Sequence, residues 1–471
     1  INKVKKIVST ALLMSILSMN FIPALADDNK TITTPKQFKS MVKKNKKVSD
    51  AYKFAYVNMD WWSNFDDSIL NDYINKAILH NYDLKMATLA VDEYYQQVKL
   101  QLGNELPQLT AAGGYGLTKM PGSTSTSQAL GLPILVNYEA DIFLKNHDKT
   151  KSVRKSYEGS KLDERAAYIA IASAVGTVYF NIIKLDKVIA LQEEIVNIRQ
   201  EIYDLFLARN REGLTSTADT IKANKSLVAG KSNLLELQKQ RKQLLHRLCV
   251  LIGESPENAD SIKRASIDDV KYELEIPNEI SSEIIIQRPD YMKAELMVEK
   301  AGIDVRVAKK EFLPTLSLGG LGLFNAANIG SLFTTENMLL GLGGGLILPL
   351  FTGGKKIANL RLKKATYERI LQNYYKTNLT AIQEVNDSLA AAKYDKEKML
   401  QTIKQYKLEE NDYAYNEKKY NQGVISKLDL IQFKENLLSI EKLVAQQKVE
   451  CMADSIGLYK ATGSKPYADI K

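Results

Sequence analysis

Arg211-Glu212-Gly213-Leu214-Thr215-Ser216-Thr217-Ala218-Asp219 returns in outline as Asn421-Gln422-Gly423-Val424-Ile425-Ser426-Lys427-Leu428-Asp429. Each copy lies between a very long helical pattern and a shorter one. Gly, Ser and Asp recur at one spacing, since 423 − 213, 426 − 216 and 429 − 219 all give 210. Glycine permits the positive φ that ends a helix. Serine three residues on is a good N-cap for the next helix. Each copy therefore predicts a tight helix–turn–helix tip, and two tips predict a duplicated chain.

The duplication extends upstream. Asn81-Tyr82-Asp83-Leu84 answers Arg288-Pro289-Asp290-Tyr291, at an offset of 290 − 83 = 207. At that offset Ala87 matches Ala294, Leu89 matches Leu296, Val98 matches Val305, and Leu106-Pro107 matches Leu313-Pro314. Gly253 matches Gly463 at the offset of the tips. A small insertion between the matched blocks accounts for the change from 207 to 210.

Between the helical stretches the period changes to two. Leu109, Ala111, Gly113, Tyr115 and Leu117 share one face of a strand, and Thr110, Ala112, Gly114, Gly116 and Thr118 the other. A polar loop (residues 121–127) follows, then a return strand with Ile134, Val136, Tyr138, Ala140 and Ile142 apolar and Asn137, Glu139 and Asp141 opposite. Strands of about ten residues are long enough to cross a membrane when tilted. A soluble sandwich hairpin is the alternative; the small residues, the long polar loop and the export signal below favour the membrane. The second half repeats the plan, with Gly- and Leu-rich strands at Thr315–Phe324 and Met338–Phe351 around the loop Asn325–Asn337.

Helical spacing covers Asp67–Glu105, Ser152–Arg211, Ser216–Ile252, Ser281–Glu311, Lys355–Tyr420 and Ser426–Thr462. Sixty residues of helix span about 90 Å, far more than a globular domain needs. Ile195, Ile198, Ile202 and Leu205 follow coiled-coil spacing, and Ile382, Val385, Leu389, Ala392, Met399, Ile403 and Tyr406 come close to it.

At the N-terminus, Lys3, Lys5 and Lys6 precede an apolar run that closes on Ala24-Leu25-Ala26, an export signal with its cleavage site. No Cys follows that point, which argues against lipid attachment there. The predicted organisation is a signal peptide (1–26), a polar N-terminal arm (27–56), a first structural repeat (57–257), a linker (258–280), a second repeat (281–463) and a C-terminal tail (464–471). Lys+Arg 64 against Asp+Glu 55 gives +9, spread along helical faces and not gathered in a basic run, so nucleic acid is not the expected partner. Cys249 and Cys451 are expected to be buried free thiols, and Trp61 and Trp62 to pack against helices. There is no P-loop, no C-x-x-C and no His cluster, so neither enzyme chemistry nor a cofactor or metal is expected.

Four membrane strands cannot close on themselves, because barrels start at eight and open edges do not face lipid. Four strands per chain therefore imply an oligomer sharing one barrel, with the helices continuing as a hollow cylinder and the tips far from the membrane.

Here the residues carry a resemblance. Trp61-Trp62-x-x-Phe65, Asn81-x-Asp83-Leu84, the two Leu-Pro pairs, Arg288-Pro289-Asp290-Tyr291 and the paired Gly-x-x-Ser-x-x-Asp tips resemble, in order and doubling, the TolC-like outer membrane factors, in their drug and metal efflux branch. The resemblance implies a mainly α fold with a membrane β-barrel portion: a trimeric, twelve-stranded β-barrel continuous with an α-helical coiled-coil tunnel. It implies a passive exit duct in the outer membrane of a Gram-negative bacterium, with an inner-membrane pump and a periplasmic adaptor as partners. The adaptor would contact Gly213, Leu214, Thr215 and Ser216 at one tip and Gly423, Val424, Ile425 and Ser426 at the other. It implies a gate in which Asp429 forms a ring of carboxylates and Asp219 and Tyr420 bond between neighbouring coils. Asp219 and Asp429 are equally the residue types expected in a first helical turn. The alternatives are a protein-secretion duct and a structural coiled-coil envelope protein on a barrel anchor.

Overall fold

The computed structural model describes residues 61–463, apart from 119, 120, 123, 125, 126 and 272–281. The expected signal peptide, polar arm and tail lie outside the described residues, as does the second part of the linker. The elements in order are α1 (Ser68–His80), α2 (Tyr82–Gly103), β1 (Gln108–Ala111), β2 (Gly114–Thr118), β3 (Ser127–Ala140), α3 (Lys145–Arg211) and α4 (Thr217–Leu251). There follow α5 (Pro289–Lys310), β4 (Thr315–Ala326), β5 (Met338–Ile347), α6 (Lys355–Asn421) and α7 (Lys427–Thr462). The two longest helices, α3 and α6, each hold 67 residues, about 100 Å of helix. Their first residues, their last residues and the starts of α4 and α7 are all 210 apart (355 − 145, 421 − 211, 427 − 217).

Several boundaries differ from the sequence reading, each for a local reason. The helix expected over Asp67–Glu105 breaks at Asn81, which is extended (ψ 131°) and caps α2 by accepting from the Leu84 N–H at 3.0 Å. In the second half the corresponding stretch is a 3-10 turn, Ser282–Gln287, before α5. Pro289 excludes the α conformation from the residue before it, and Arg288 is extended (ψ 135°). Helix α3 starts seven residues before Ser152 because the Asp141 carboxylate accepts from the Lys145 and His147 N–H groups at 2.6 and 2.8 Å. The strand expected to reach Phe351 stops at Ile347, just ahead of Pro349, which has no N–H to donate. The strand expected over 109–118 divides into β1 and β2 at Ala112–Gly113, yet its pairing with β3 keeps one register throughout.

The strands form one antiparallel sheet in the order β1(β2)–β3–β4–β5. The register sorts every strand residue onto one of two faces. One face takes Leu109, Tyr115, Leu130, Ile134, Val136, Tyr138, Leu316, Leu318, Phe324, Met338, Leu340, Leu342 and Leu346, apolar apart from two tyrosine hydroxyls. Leucines there lie over glycines of the neighbouring strand: Leu342 faces Gly320, Leu340 faces Gly322 and Leu318 faces Gly344. Leu342 is nevertheless 94% exposed. The other face takes the polar residues Gln108, Thr110, Asn137, Glu139, Thr315, Ser317 and Asn325. Among the described residues no helix covers either face.

The main core lies where α1, α3, α4 and α7 meet the segment after α4. Trp61 and Trp62 are buried in it, as expected, with Phe65 beside them, and Gly176 on α3 makes room for the Trp61 ring, which a Cβ there would strike. Asp67 is buried with two duties. It caps α1 through the Ile69 and Leu70 N–H groups at 2.9 and 3.1 Å, and accepts from the Tyr179 hydroxyl at 2.6 Å. Burial and the Asp67 charge push the Tyr179 hydroxyl far above its ordinary range. The expected linker is not merely polar, because Ala259, Ile262, Ile267 and Val270 are buried in this core. Cys249 and Cys451 are buried free thiols, and burial pushes both upward, Cys451 to about 11.

Each half has the same kind of junction. Asn81 donates from Nδ2 to the Leu251 carbonyl at 2.9 Å, and Arg288 donates from Nη1 to the Ala461 carbonyl at 2.7 Å. The acceptors are again 210 apart (461 − 251). Gly253 and Gly463 follow with positive φ, and a Cβ on either would strike the His80 or the Arg288 backbone. The Arg288 side chain is only 8% exposed and is neutralised by Asp290 and Glu384. Arg288→Ala is expected to cost about 3 kcal/mol, since removing one member of a buried ion pair strands its partners, here partly exposed ones. Thermal unfolding in detergent measures this.

The halves also differ. Asp395 on α6 and Asp454 on α7 share a hydrogen bond where the duplication has Leu185 and Leu244 (395 − 210, 454 − 210). Burial, then the Asp395 charge and hydrogen bond, then Glu450, push Asp454 from 3.8 to about 7, against the pull of Lys398. The folded chain thus holds a proton that the unfolded chain releases. The resulting stabilisation is complete below about pH 4 and is lost as pH rises through about 7. Melting temperature should fall between pH 5 and pH 8, and Asp454→Leu should flatten that slope.

Candidate functional site

Each tip is built from backbone geometry first. At the end of α3 the Leu214 N–H bonds the Arg209 carbonyl at 2.8 Å and the Gly213 N–H bonds the Asn210 carbonyl at 3.0 Å, with Gly213 at φ 72°. At the end of α6 the Val424 N–H bonds Lys419 at 2.9 Å and the Gly423 N–H bonds Tyr420 at 2.8 Å, with Gly423 at φ 73°. Both are Schellman closures, which need the left-handed residue that glycine supplies. The next helix then starts on serine: Ser216 Oγ accepts from the Asp219 N–H at 3.1 Å, and Ser426 Oγ from the Asp429 N–H at 3.2 Å.

The two aspartates differ in how fully they return the bond. Asp429 Oδ2 accepts from both the Ser426 N–H at 3.1 Å and its hydroxyl at 2.7 Å, a complete capping box. Asp219 Oδ2 accepts from the Ser216 hydroxyl at 2.6 Å. Both carboxylates are exposed, as are Leu214 and Val424 at the apices. Tyr420 stands in the last turn of α6, partly exposed, and the structure does not bring it to Asp219. Asp219 is on α4 and Tyr420 on α6, and α3 and α7 pack between these two helices.

The residues that join the tips were not foreseen from sequence. Arg199 on α3 donates from Nε to Glu435 on α7 at 2.9 Å and from Nη1 to the Ser226 carbonyl on α4 at 3.1 Å. Seven residues earlier, buried Gln192 donates to the Gly230 carbonyl of α4 at 3.1 Å and accepts from Lys442 of α7 at 2.6 Å. Leu191, Ile195, Ile198 and Leu438 fill the seam of α3 and α7, which bears out the spacing read on α3 for Ile195 and Ile198 and does not include Ile202 and Leu205. The signal was present in a polar pair one heptad apart on that helix and in Gly230 within a helix. Lys427–Glu201 and Lys434–Glu194 bridge the same seam on its exposed side.

The exposed surfaces of α4 and α6 are largely polar, but each carries open apolar residues. On α4, Ile221, Val228 and Leu235 are exposed at seven-residue intervals; on α6, Leu379, Tyr394, Leu400, Leu408 and Tyr415 are exposed. Such a stripe is a coiled-coil face without its partner. At the other end of these helices the sheet is likewise unpaired, among the described residues, on the outer edges of β1–β2 and β5. Among the described residues no group of three or more His, Cys, Asp or Glu side chains could hold a metal ion.

Comparison with known proteins agrees with this arrangement. The profile of the family described as Outer membrane efflux protein matches residues 73–254 and 280–464, one segment for each half of the duplication. The "Toluene efflux pump outer membrane protein TtgC" of Pseudomonas putida is 27% identical over 427 residues, covering 88% of this chain and 86% of the relative. The "Cation efflux system protein CusC" of Escherichia coli is 24% identical over 413 residues, covering 87% and 89%. Among solved structures, the Campylobacter jejuni CmeC outer membrane channel superposes with a TM-score of 0.79 at 22% identity, covering 88% of this chain and 90% of that one. A CusC crystal structure gives 0.74 at 23% identity, covering 86% and 94%.

Replacing Ser426 by Ala removes the reciprocal cap and should cost about 1 kcal/mol, the usual value of an N-cap. Hydrogen exchange should then accelerate in the first turn of α7 and stay unchanged in that of α4.

Proposed function

The chain belongs to the outer membrane efflux protein family and is an outer membrane efflux channel, and on that premise we propose that three copies close one twelve-stranded barrel above a coiled-coil tunnel. The observation that carries this is the sheet. Among the described residues it is a single layer of four strand positions, unpaired at both edges and largely apolar on one face, at the base of two long helical hairpins. In water such a layer would need a second one to cover it; in lipid it needs closure. Copies arranged in a ring pair β5 of one with β1–β2 of the next, and set the open stripe of α6 against that of the neighbour's α4. The same ring brings Tyr420 of one copy toward Asp219 of the next.

The duct is passive, and its energy comes from an inner-membrane pump reached through a periplasmic adaptor. The exposed apices Leu214 and Val424, with Gly213, Thr215, Ser216, Gly423, Ile425 and Ser426, form the adaptor's docking surface. The toluene and the cation named for two relatives mark the range of small cargo proposed. Asp429 serves twice: one oxygen caps its helix, and the carboxylate charge stands at the second tip, where three copies form a cation-selecting ring.

Single-channel conductance of the purified protein in a planar bilayer tests this, beside Asp429→Asn, which removes the charge but keeps an acceptor for the cap. A small, cation-preferring conductance blocked by multivalent cations is expected, with the block weakened in the variant. Block unchanged in the variant would remove Asp429 from the gate. No conductance from well-folded protein would remove the duct.

A further inference from the structure

The polar face of the sheet is not polar throughout. Midway along the strands it carries five bulky apolar side chains in two adjacent rows. Leu135 lies beside Leu321, and Pro133 beside Leu323, which lies beside Leu339. Polar residues bound these rows on both sides. Toward the helices stand Asn137, then Glu139 and Ser317; on the far side stands Asn325.

The wall around the five is bare. Gly131, Gly319, Gly341, Gly343 and Gly345 share their face. A Cβ added to Gly131, Gly341, Gly343 or Gly345 would meet nothing within 4 Å, so local packing does not dictate these glycines. The leucines therefore rise from a low surface, with Leu135 43% and Leu339 58% exposed. They do not serve the membrane, because lipid takes the opposite face. Among the described residues no helix packs over them, Pro133, Leu321 and Leu323 being half-buried by their neighbours in the sheet, and the polar residues on either side keep lipid away. Only what moves through the lumen reaches them.

We propose that Pro133, Leu135, Leu321, Leu323 and Leu339 form an apolar collar around the barrel lumen that transiently binds the apolar part of small cargo molecules in transit. This rests on the barrel reading above: a closed ring sets these side chains of three copies around one lumen, with Thr110 and Gly341 between successive Leu135–Leu321 pairs. Contact with two or three leucines is reversible, since each buries only part of a side chain's worth of apolar area. Binding that is weak enough to release suits a conduit, which must let its cargo leave.

The test uses the purified channel in a planar bilayer with two monovalent cations of opposite hydropathy, tetraphenylphosphonium and tetramethylammonium. The variants are Leu321→Ser with Leu339→Ser, and, in the opposite direction, Gly341→Leu, which extends the collar at a position with room for a side chain. Tetraphenylphosphonium should produce blocking events in the natural protein. Their dwell time should fall about tenfold in the serine variant, equivalent to about 1.4 kcal/mol, and lengthen in Gly341→Leu. Open-channel conductance and the response to tetramethylammonium should stay the same. Tetraphenylphosphonium dwell times that ignore both variants, in channels of normal conductance, would overturn the collar and leave the barrel standing. Absence of any channel from folded protein would overturn both.

Discussion

The fold depends on the point at which each returning helix stops. A long hairpin has two legs, and a small error in the level at which the second leg ends displaces everything attached to it. Here the last carbonyls of α4 and α7 are taken by side chains from the elements that precede the sheet, Asn81 for Leu251 and Arg288 for Ala461. Those two residues also mark where α2 and α5 begin. One interaction thus sets the level of a hairpin, the start of the helix leading into a strand, and the height of the sheet above the core. The glycines that follow each carbonyl lie so close to the junction that no side chain fits there. A helix end left without a partner in this core would carry the cost of unsatisfied polar groups.

The two halves meet this constraint with different chemistry. The first uses a neutral amide, which needs only an acceptor. The second uses a guanidinium, which brings a charge into a site that is nearly closed and so requires Asp290 and Glu384. The same divergence appears at Asp395 and Asp454, where the first half has leucines. A duplicated chain in which both halves were identical could close only by their own symmetry. Differences of this kind let α3, with more of its length buried than α6, occupy the inside of the protomer while α6 faces outward.

The sheet and the helices leave matching deficits. At one end, backbone donors and acceptors on two strand edges have no partner; at the other, apolar stripes on α4 and α6 have none. Both deficits fall on the outermost elements of their layer, and strand and helix orders run in parallel. Unpaired strand edges are normally blunted in a soluble chain; here β5 presents a ten-residue edge, and β1 with β2 a second one in a single register. Membership of the outer membrane efflux protein family places this chain among proteins for which a membrane, not water, is the solvent of the sheet.

Much of this was legible in the sequence, because it is encoded by residues acting on their own backbone. Glycine at a positive φ, serine at an N-cap, proline against a helix and a period of two or of seven act within a few residues, and they determined the two tips, the long helices, the strand alternation and the duplication. What tertiary structure alone decided involves residues far apart. The break at Asn81 carried a local signal, since asparagine is a good N-cap, but its second bond, to the Leu251 carbonyl, joins places 170 residues apart. Arg199 and Gln192 read as surface residues of a polar helix until α4 and α7 close around them. The collar on the sheet depends on aligning strands separated by nearly two hundred residues, and Leu135 and Leu321 belong to one surface only because β3 pairs with β4. Sequence specified what each segment prefers; the junctions, the seam and the faces needed partners distant in the chain, because a hydrogen bond or a strand pair is a property of two places at once.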